Sequence, residues 1–177
     1  MPLTTVLFAG LAVGIPCLVV ALERAQARAY GVPPVPSLPW LRRNVVRALR
    51  RHAPAARKIA ELGSGWGGLA FALAQAFPAA QVTGFELSGL PYGFAQARAM
   101  IGPPRNIKFR KADFLTQDLS DYDVAVCYLL PRVLRDVPGR LPAGCLLVAA
   151  GFPLKGVTPQ DQIGGPLFSV YIYKIPS

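Results

Sequence analysis

Residues 58–86 read KIAELGSGWGGLAFALAQAFPAAQVTGFE, and this stretch decides the fold. Lys58 to Leu62 is a short, largely apolar run of strand type. Gly63, Gly65, Gly67 and Gly68 follow at once, where backbone must turn sharply and can pass close to a ligand. An Ala/Leu-rich run then predicts a helix stopped by Pro78, and the loop feeds its N-terminus, where free N–H groups favour negative charge. Gln81 to Phe85 predicts a second strand, ending in Glu86. An acid at the end of the second strand of such a strand–loop–helix–strand unit is placed to accept hydrogen bonds from ribose hydroxyls. The unit is a Rossmann-like nucleoside binder.

Working outward, Ile107-Lys108-Phe109 predicts a third strand and Tyr122 to Leu130 a fourth, ending at Pro131. Cys145 to Ala150 predicts a fifth. Phe168 to Lys174 alternates like a last strand, with Gly164-Gly165-Pro166 as the turn before it. Strands alternating with helices and closing on a strand pair give an α/β sandwich with a mixed sheet. Gly63, Gly65 and Gly68 also satisfy the dinucleotide spacing G-x-G-x-x-G, a weak signal alone. Three features favour S-adenosylmethionine over a dinucleotide. Glu61, two residues before the first glycine, can hold the amino-acid end of that cofactor. Asp113, beside Phe114, offers a carboxylate to an adenine amino group. Too little chain follows the fourth strand for a second catalytic domain.

The chain has 177 residues, is 53% hydrophobic, and carries a formal charge of +10. It holds enough apolar surface for a core, which excludes a disordered polyelectrolyte. Cys17, Cys127 and Cys145 form no paired spacing, which argues against a disulfide framework or zinc ribbon. The apolar and basic excesses occupy different segments. Residues 2–22 contain no charged side chain and are long enough to span a bilayer as a helix, which is favoured over a cleaved signal peptide or a buried core helix. Between Arg24 and Lys58 the chain carries nine cations and no acid. The positive-inside rule then leaves the remainder on the cytoplasmic side. Residues 30–40, rich in proline, predict an extended connector. In the segment after it, Leu41, Val45, Val46 and Leu49 form one helical stripe, with arginines opposite. His52, the sole histidine, is expected at the surface or as a cap, since no second metal-type residue is near.

Four segments carry a resemblance to class I S-adenosylmethionine methyltransferases: Glu61 to Gly67, Gly84-Phe85-Glu86-Leu87, Ala112-Asp113 and Tyr122-Asp123-Val124. A narrower resemblance covers nearly the whole chain. The N-terminal span, Val32-Pro33-Pro34-Val35-Pro36 before a basic helix, Gly84 to Leu87, and Phe152-Pro153 are similar to the membrane-anchored protein-lysine methyltransferases of the ATP synthase c-subunit and adenine nucleotide translocase type. That resemblance implies a seven-stranded, Rossmann-like methyltransferase sandwich with a mixed sheet, preceded by one transmembrane helix. Its parts are an anchor over 1–23, a juxtamembrane connector over 24–40 and a methyltransferase domain over 41–177.

The expected cofactor is S-adenosylmethionine, held by Glu61, Gly63, Ser64, Gly65, Gly67, Glu86, Leu87, Asp113 and Phe114, with no metal. Tyr128, at the end of the fourth strand, is where family logic puts a residue facing the methyl group; packing in the strand explains it equally. Trp66 is expected to cover the helix, and Trp40 to close over the cofactor. The expected acceptor is a lysine of a membrane protein, with the lipid bilayer as a further partner. The chain carries no recognisable nucleic-acid module. Other readings keep the site but change its use: a lipid or small hydrophobic acceptor, a non-catalytic binder of the cofactor, or a basic RNA methyltransferase. The first 23 residues hold no cation beyond the terminal amine, which favours a bacterial inner membrane over a mitochondrial one.

Overall fold

Seven strands join in one sheet, the first five parallel because enough chain between successive apolar runs lets each cross over and return. The computed structural model describes residues 37–102, 104–165 and 169–176. The expected membrane span, most of the connector, and Phe168 lie outside the described residues. Among the described residues no helix is long and apolar enough to cross a membrane.

The elements run α1 (Pro39–His52), β1 (Lys58–Leu62), α2 (Gly68–Ala76), β2 (Gln81–Glu86), α3 (Gly89–Ile101), β3 (Ile107–Lys111), β4 (Val124–Cys127), α4 (Pro131–Leu134), β5 (Leu146–Ala150), β6 (Asp161–Ile163) and β7 (Val170–Lys174). Single 3-10 turns at Phe114–Thr116 and Pro138–Arg140 complete the connections. The sheet order is β3-β2-β1-β4-β5-β7-β6. β1 to β5 are parallel, and β7 inserts antiparallel between β5 and β6. Chain order reverses on either side of β1, with β2 to one side and β4 to the other. A crevice opens there, at the carboxyl ends of the strands, where ligands bind in open α/β sheets.

Two cores separate by strand alternation. Ile59, Val82, Phe109, Val126, Val148 and Ile172 face a layer made by α1, α2 and α3. Leu62, Phe85, Ala125, Cys127, Leu147 and Tyr173 face the opposite way, under the connections that carry Phe114, Leu119, Leu134 and Leu141. α1 buries Leu41, Val45, Ala48 and Leu49. Val46, expected on that stripe, is only half-buried, and Ala48 takes its place because the helical period favours it.

Two expected boundaries shift. Pro39 and Trp40, assigned to the extended connector, form the first turn of α1, since proline lacks only an N–H that a first turn leaves unused. Trp40 packs against the core beneath the helices. The seventh strand, implied by resemblance, is β6, three residues long and charged, as an edge strand tolerates. It is tied to α1: His52 Nε2 lies 2.8 Å from Asp161 Oδ2, and Arg51 reaches the same oxygen at 3.2 Å. His52 is therefore a half-buried tether, where a plain surface or capping residue was expected. The His52 hydrogen bond, before all other causes, lowers the carboxyl pKa of Asp161.

Candidate functional site

The crevice between β1, β2 and β4 is roofed by the loop Gly63–Gly67. The N–H groups of Gly63 and Ser64 both donate to the carbonyl of Phe85, at 2.9 and 2.8 Å, which folds the loop over the end of β2. Gly67 N donates to Ser64 O at 2.9 Å. The loop demands glycine at Gly67, whose φ is +79° and where a Cβ would stand 2.8 Å from the Phe109 ring. Gly84 beneath it has no room either. A Cβ there would meet Phe109 at 2.6 Å and Ser64 Oγ at 2.9 Å. The glycine spacing is therefore a packing requirement in its own right.

Glu86 latches this loop. Its Oε2 accepts from Gly65 N–H and its Oε1 from Ser88 N–H, both at 2.7 Å, joining the loop to the entry of α3. Each carboxylate oxygen retains further acceptor capacity. The acid at the end of the second strand is thus already oriented by two amides, with Leu87 half-exposed behind it.

Glu61 lies one strand over and is buried, and its Oε2 has no hydrogen-bond partner among the described residues. Ser64 Oγ is a second buried oxygen without a partner. Burial pushes the Glu61 carboxyl well above the usual range. The neighbouring Glu86 adds to this, against the opposing pull of the Ala70 amide and the Arg42 guanidinium. A buried carboxyl with an orphaned oxygen is a costly arrangement unless something fills it. A cationic ligand would reverse the cost.

Arg42 is the residue that sequence reasoning missed. It was grouped with the arginines opposite the apolar stripe of α1, yet its guanidinium lies against Gly68, the first residue of α2. Its Nε donates to Ser37 Oγ at 2.9 Å. Its place beside Leu41, at the margin of the buried stripe, is the only sequence signal of this direction. The N-terminus of α2 has no side-chain cap and no acid in its first turn. The first-turn amides other than that of Ala70, which reaches Glu61, and a guanidinium together favour an anion.

The other expected residues line up along the same edge. Asp113 follows β3 and accepts at Oδ1 from Leu115 N–H at 2.9 Å, capping the 3-10 turn. Phe114 is buried with Leu62, Phe85 and Leu119, so its ring is core beneath the site and Ala112 and Leu115 are the half-buried apolar surface beside Asp113. Tyr128 follows β4, half-buried, with its ring stacked so close to Gly151 that a Cβ there would lie 2.7 Å from it. Leu129 touches Gly63 in the same manner. Trp66 stands edge-on to Phe94 of α3 at 5.4 Å between ring centroids and covers that helix, the next one along from α2. Cys127, inside β4, is pushed up to about 12 by burial and by Glu61, so its thiol stays protonated and offers no thiolate. Among the described residues no group of His, Cys, Asp and Glu could hold a metal ion.

The donor set fits a nucleoside joined to a zwitterionic amino acid. The orphaned Glu61 oxygen suits an ammonium, Arg42 and the α2 amides suit a carboxylate, and Glu86 suits ribose hydroxyls. The comparisons with known proteins agree with this chemistry. The family model described as the ANTKMT methyltransferase domain matches residues 61–161. An RNA methyltransferase from Salinibacter ruber, solved with S-adenosyl-L-homocysteine, is 25% identical with a TM-score of 0.69, over 80% of this chain and 94% of that one. A ribosomal protein L11 methylase from Lactobacillus delbrueckii subsp. bulgaricus is 16% identical, with a TM-score of 0.64 over 77% of this chain and 78% of its own. Human N-acetylserotonin methyltransferase, solved with S-adenosylmethionine, is 14% identical, with a TM-score of 0.60 over 77% of this chain and 52% of that one. No curated protein matches the chain in sequence.

Proposed function

The chain belongs to the ANTKMT methyltransferase family and is an S-adenosylmethionine-dependent methyltransferase; from that premise we propose that it methylates lysine side chains of a membrane-associated protein while anchored by residues 2–22. The single observation carrying the chemistry is the pair of carboxylates at the loop: Glu86 held by two amides, and Glu61 buried with a free oxygen. The family supports a protein lysine as acceptor. The uncharged stretch 2–22 and the nine cations after it support the anchor and a cytoplasmic catalytic domain.

When bound, S-adenosylmethionine supplies an electrophilic methyl group on a sulfonium. The protein's own task is positioning, which can supply much of the rate enhancement of a two-reactant step. Glu86 and the glycine loop would hold the nucleoside, Asp113 the adenine edge, and Glu61 with Arg42 the amino-acid end. Tyr128 and Leu129, on the exit of β4, would border the path of the acceptor. A lysine ammonium, with an ordinary pKa near 10.4, has to shed a proton before it can attack. Partial burial beside Tyr128 and the apolar exit of β4 would favour the neutral amine.

The test is to incubate the full chain with membranes and radiolabelled S-adenosylmethionine, then separate protein, lipid and RNA. Label on lysine of a membrane protein is the expected outcome. Label confined to lipid or to RNA would overturn the acceptor assignment.

A further inference from the structure

The three helices that cover one face of the sheet contain no acid. α1, α2 and α3 carry six arginines, Arg42, Arg43, Arg47, Arg50, Arg51 and Arg98, and not one Asp or Glu. Every Asp and Glu among the described residues lies on a strand or in a connection. Arg43, Arg47 and Arg50 are exposed, and their spacing of four and three residues puts them on one stripe of α1. Past α3 the loop adds Arg105, whereas Lys108 and Arg110 alternate with Ile107 and Phe109 in β3 and lie on the other side of the sheet.

The same layer exposes large apolar side chains, one of them, Phe94, also edge-on to Trp66. Phe94 is 54% exposed, Met100 78% and Ile101 87%, and Phe94 and Ile101 lie seven residues apart on one side of α3. The opposite face of the sheet differs, for its connections carry Asp118, Asp121 and Asp136. The helices of one face are cationic with apolar tips, and the acid against them, Asp161, is tied to Arg51 and His52 at the end of α1. The other is mixed.

We infer that the α1–α2–α3 face is a membrane-docking surface for an anionic lipid bilayer, with the α1 arginines among the headgroups and Phe94, Met100 and Ile101 inserted at the acyl boundary. This deepens the membrane part of the function proposed above and rests on it. Charge complementarity selects the occupant: anionic headgroups attract clustered cations close to the surface, and insertion rewards exposed apolar groups beside them. RNA would satisfy the arginines, but its recognition uses phosphate contacts and stacked aromatics, and gives an exposed Met100 and Ile101 nothing to bind.

The experiment uses the full chain with Cys17→Ser and an environment-sensitive fluorophore at Ile101→Cys or at Gly139→Cys. Gly139 is exposed on the opposite face. Vesicles are phosphatidylcholine alone or mixed with phosphatidylglycerol, and flotation is measured in parallel. In the mixed vesicles the probe at 101 is expected to shift to the blue and to be quenched severalfold more by lipid-borne spin labels than the probe at 139. Charge reversal by Arg43→Glu, Arg47→Glu and Arg50→Glu together is expected to abolish that difference while leaving S-adenosylhomocysteine binding unchanged, because these side chains are exposed and Arg42, the arginine beside the loop, is kept. Flotation with equal behaviour at the two positions would overturn the docking face and leave the anchor standing. A chain that does not float and shows no shift at 101 defeats both. Protection of position 101 by RNA, with none by vesicles, makes the face a nucleic-acid surface and defeats the inference.

Discussion

The two edges of the sheet are built to opposite specifications. At the amino edge no buried side-chain polar atom among the described residues lacks a partner. Asn106 Nδ2 donates to the carbonyls of Ala74, Phe77 and Ala80 at 3.1, 3.0 and 2.7 Å, closing the turn between α2 and β2. Asp123 Oδ2 accepts from the amides of Arg57 and Lys58 at 2.7 and 2.8 Å, closing the entry to β1. At the carboxyl edge Glu61 Oε2 and Ser64 Oγ are buried without partners among the described residues, and Gly63, Gly65, Gly67 and Gly151 stand at positive φ. One edge completes itself; the other is completed by a ligand. Buried polar groups left orphaned at one edge alone point to function there.

The largest expected effect comes from Glu86→Ala. It removes two charge-assisted bonds that shape the loop, and with them the ribose acceptor. S-adenosylhomocysteine binding, measured by calorimetry, should weaken on the order of 100-fold. Gly67→Ala adds a Cβ at positive φ against the Phe109 ring. It should cost about 2 kcal/mol, seen as a fall in Tm of roughly 4–8 °C. Asn106→Ala removes three hydrogen bonds, although Phe77 O keeps the Ala80 amide, and should cost about 1–3 kcal/mol of stability. Its cofactor affinity should not change. Weakened cofactor binding in that variant would break the division between the edges.

Glu61→Gln has the smallest and most informative effect. Burial raises the carboxyl pKa in the folded chain, so the native state holds this proton more tightly than the unfolded chain does. That stabilisation is complete below the unfolded carboxyl pKa and is lost as pH rises through the raised folded value. The unliganded protein is therefore expected to lose stability with rising pH across that window. Glu61→Gln should flatten the dependence and raise Tm at neutral pH by ~2–4 °C, about 1 kcal/mol. It should also weaken the cofactor about tenfold, since an amide cannot pair with an ammonium as a carboxylate does. Thermal denaturation against pH, with and without cofactor, separates the two effects.

The carboxyl edge was the more legible of the two because its chemistry is local in sequence. Glu61, Gly63, Gly65 and Gly67 fall within seven residues, and Glu86 ends the next strand, so spacing alone brings them together. Arg42 was hidden, because its approach to the loop depends on how α1 packs across the sheet. α3 was hidden by Gly89, Pro91 and Gly93, which obscure a helical period and are tolerated because the helix packs on β2 and β3. β6 is too short and polar for alternation to reveal, and exists because β7 offers it a ladder. Phe114 was legible in place but not in depth. Its position next to Asp113 is a matter of sequence, whereas its burial depends on the side of the sheet to which the 3-10 turn folds.

Calorimetric titration of the full chain with S-adenosylmethionine, in two buffers of different ionisation enthalpy, tests the central claim most directly. The account predicts saturable binding with proton release that grows as pH is lowered, as the ligand's ammonium draws the charge back onto Glu61. The release should disappear in Glu61→Gln, and binding should collapse in Glu86→Ala. Binding of NAD with none of S-adenosylmethionine, or binding indifferent to both substitutions, would contradict it.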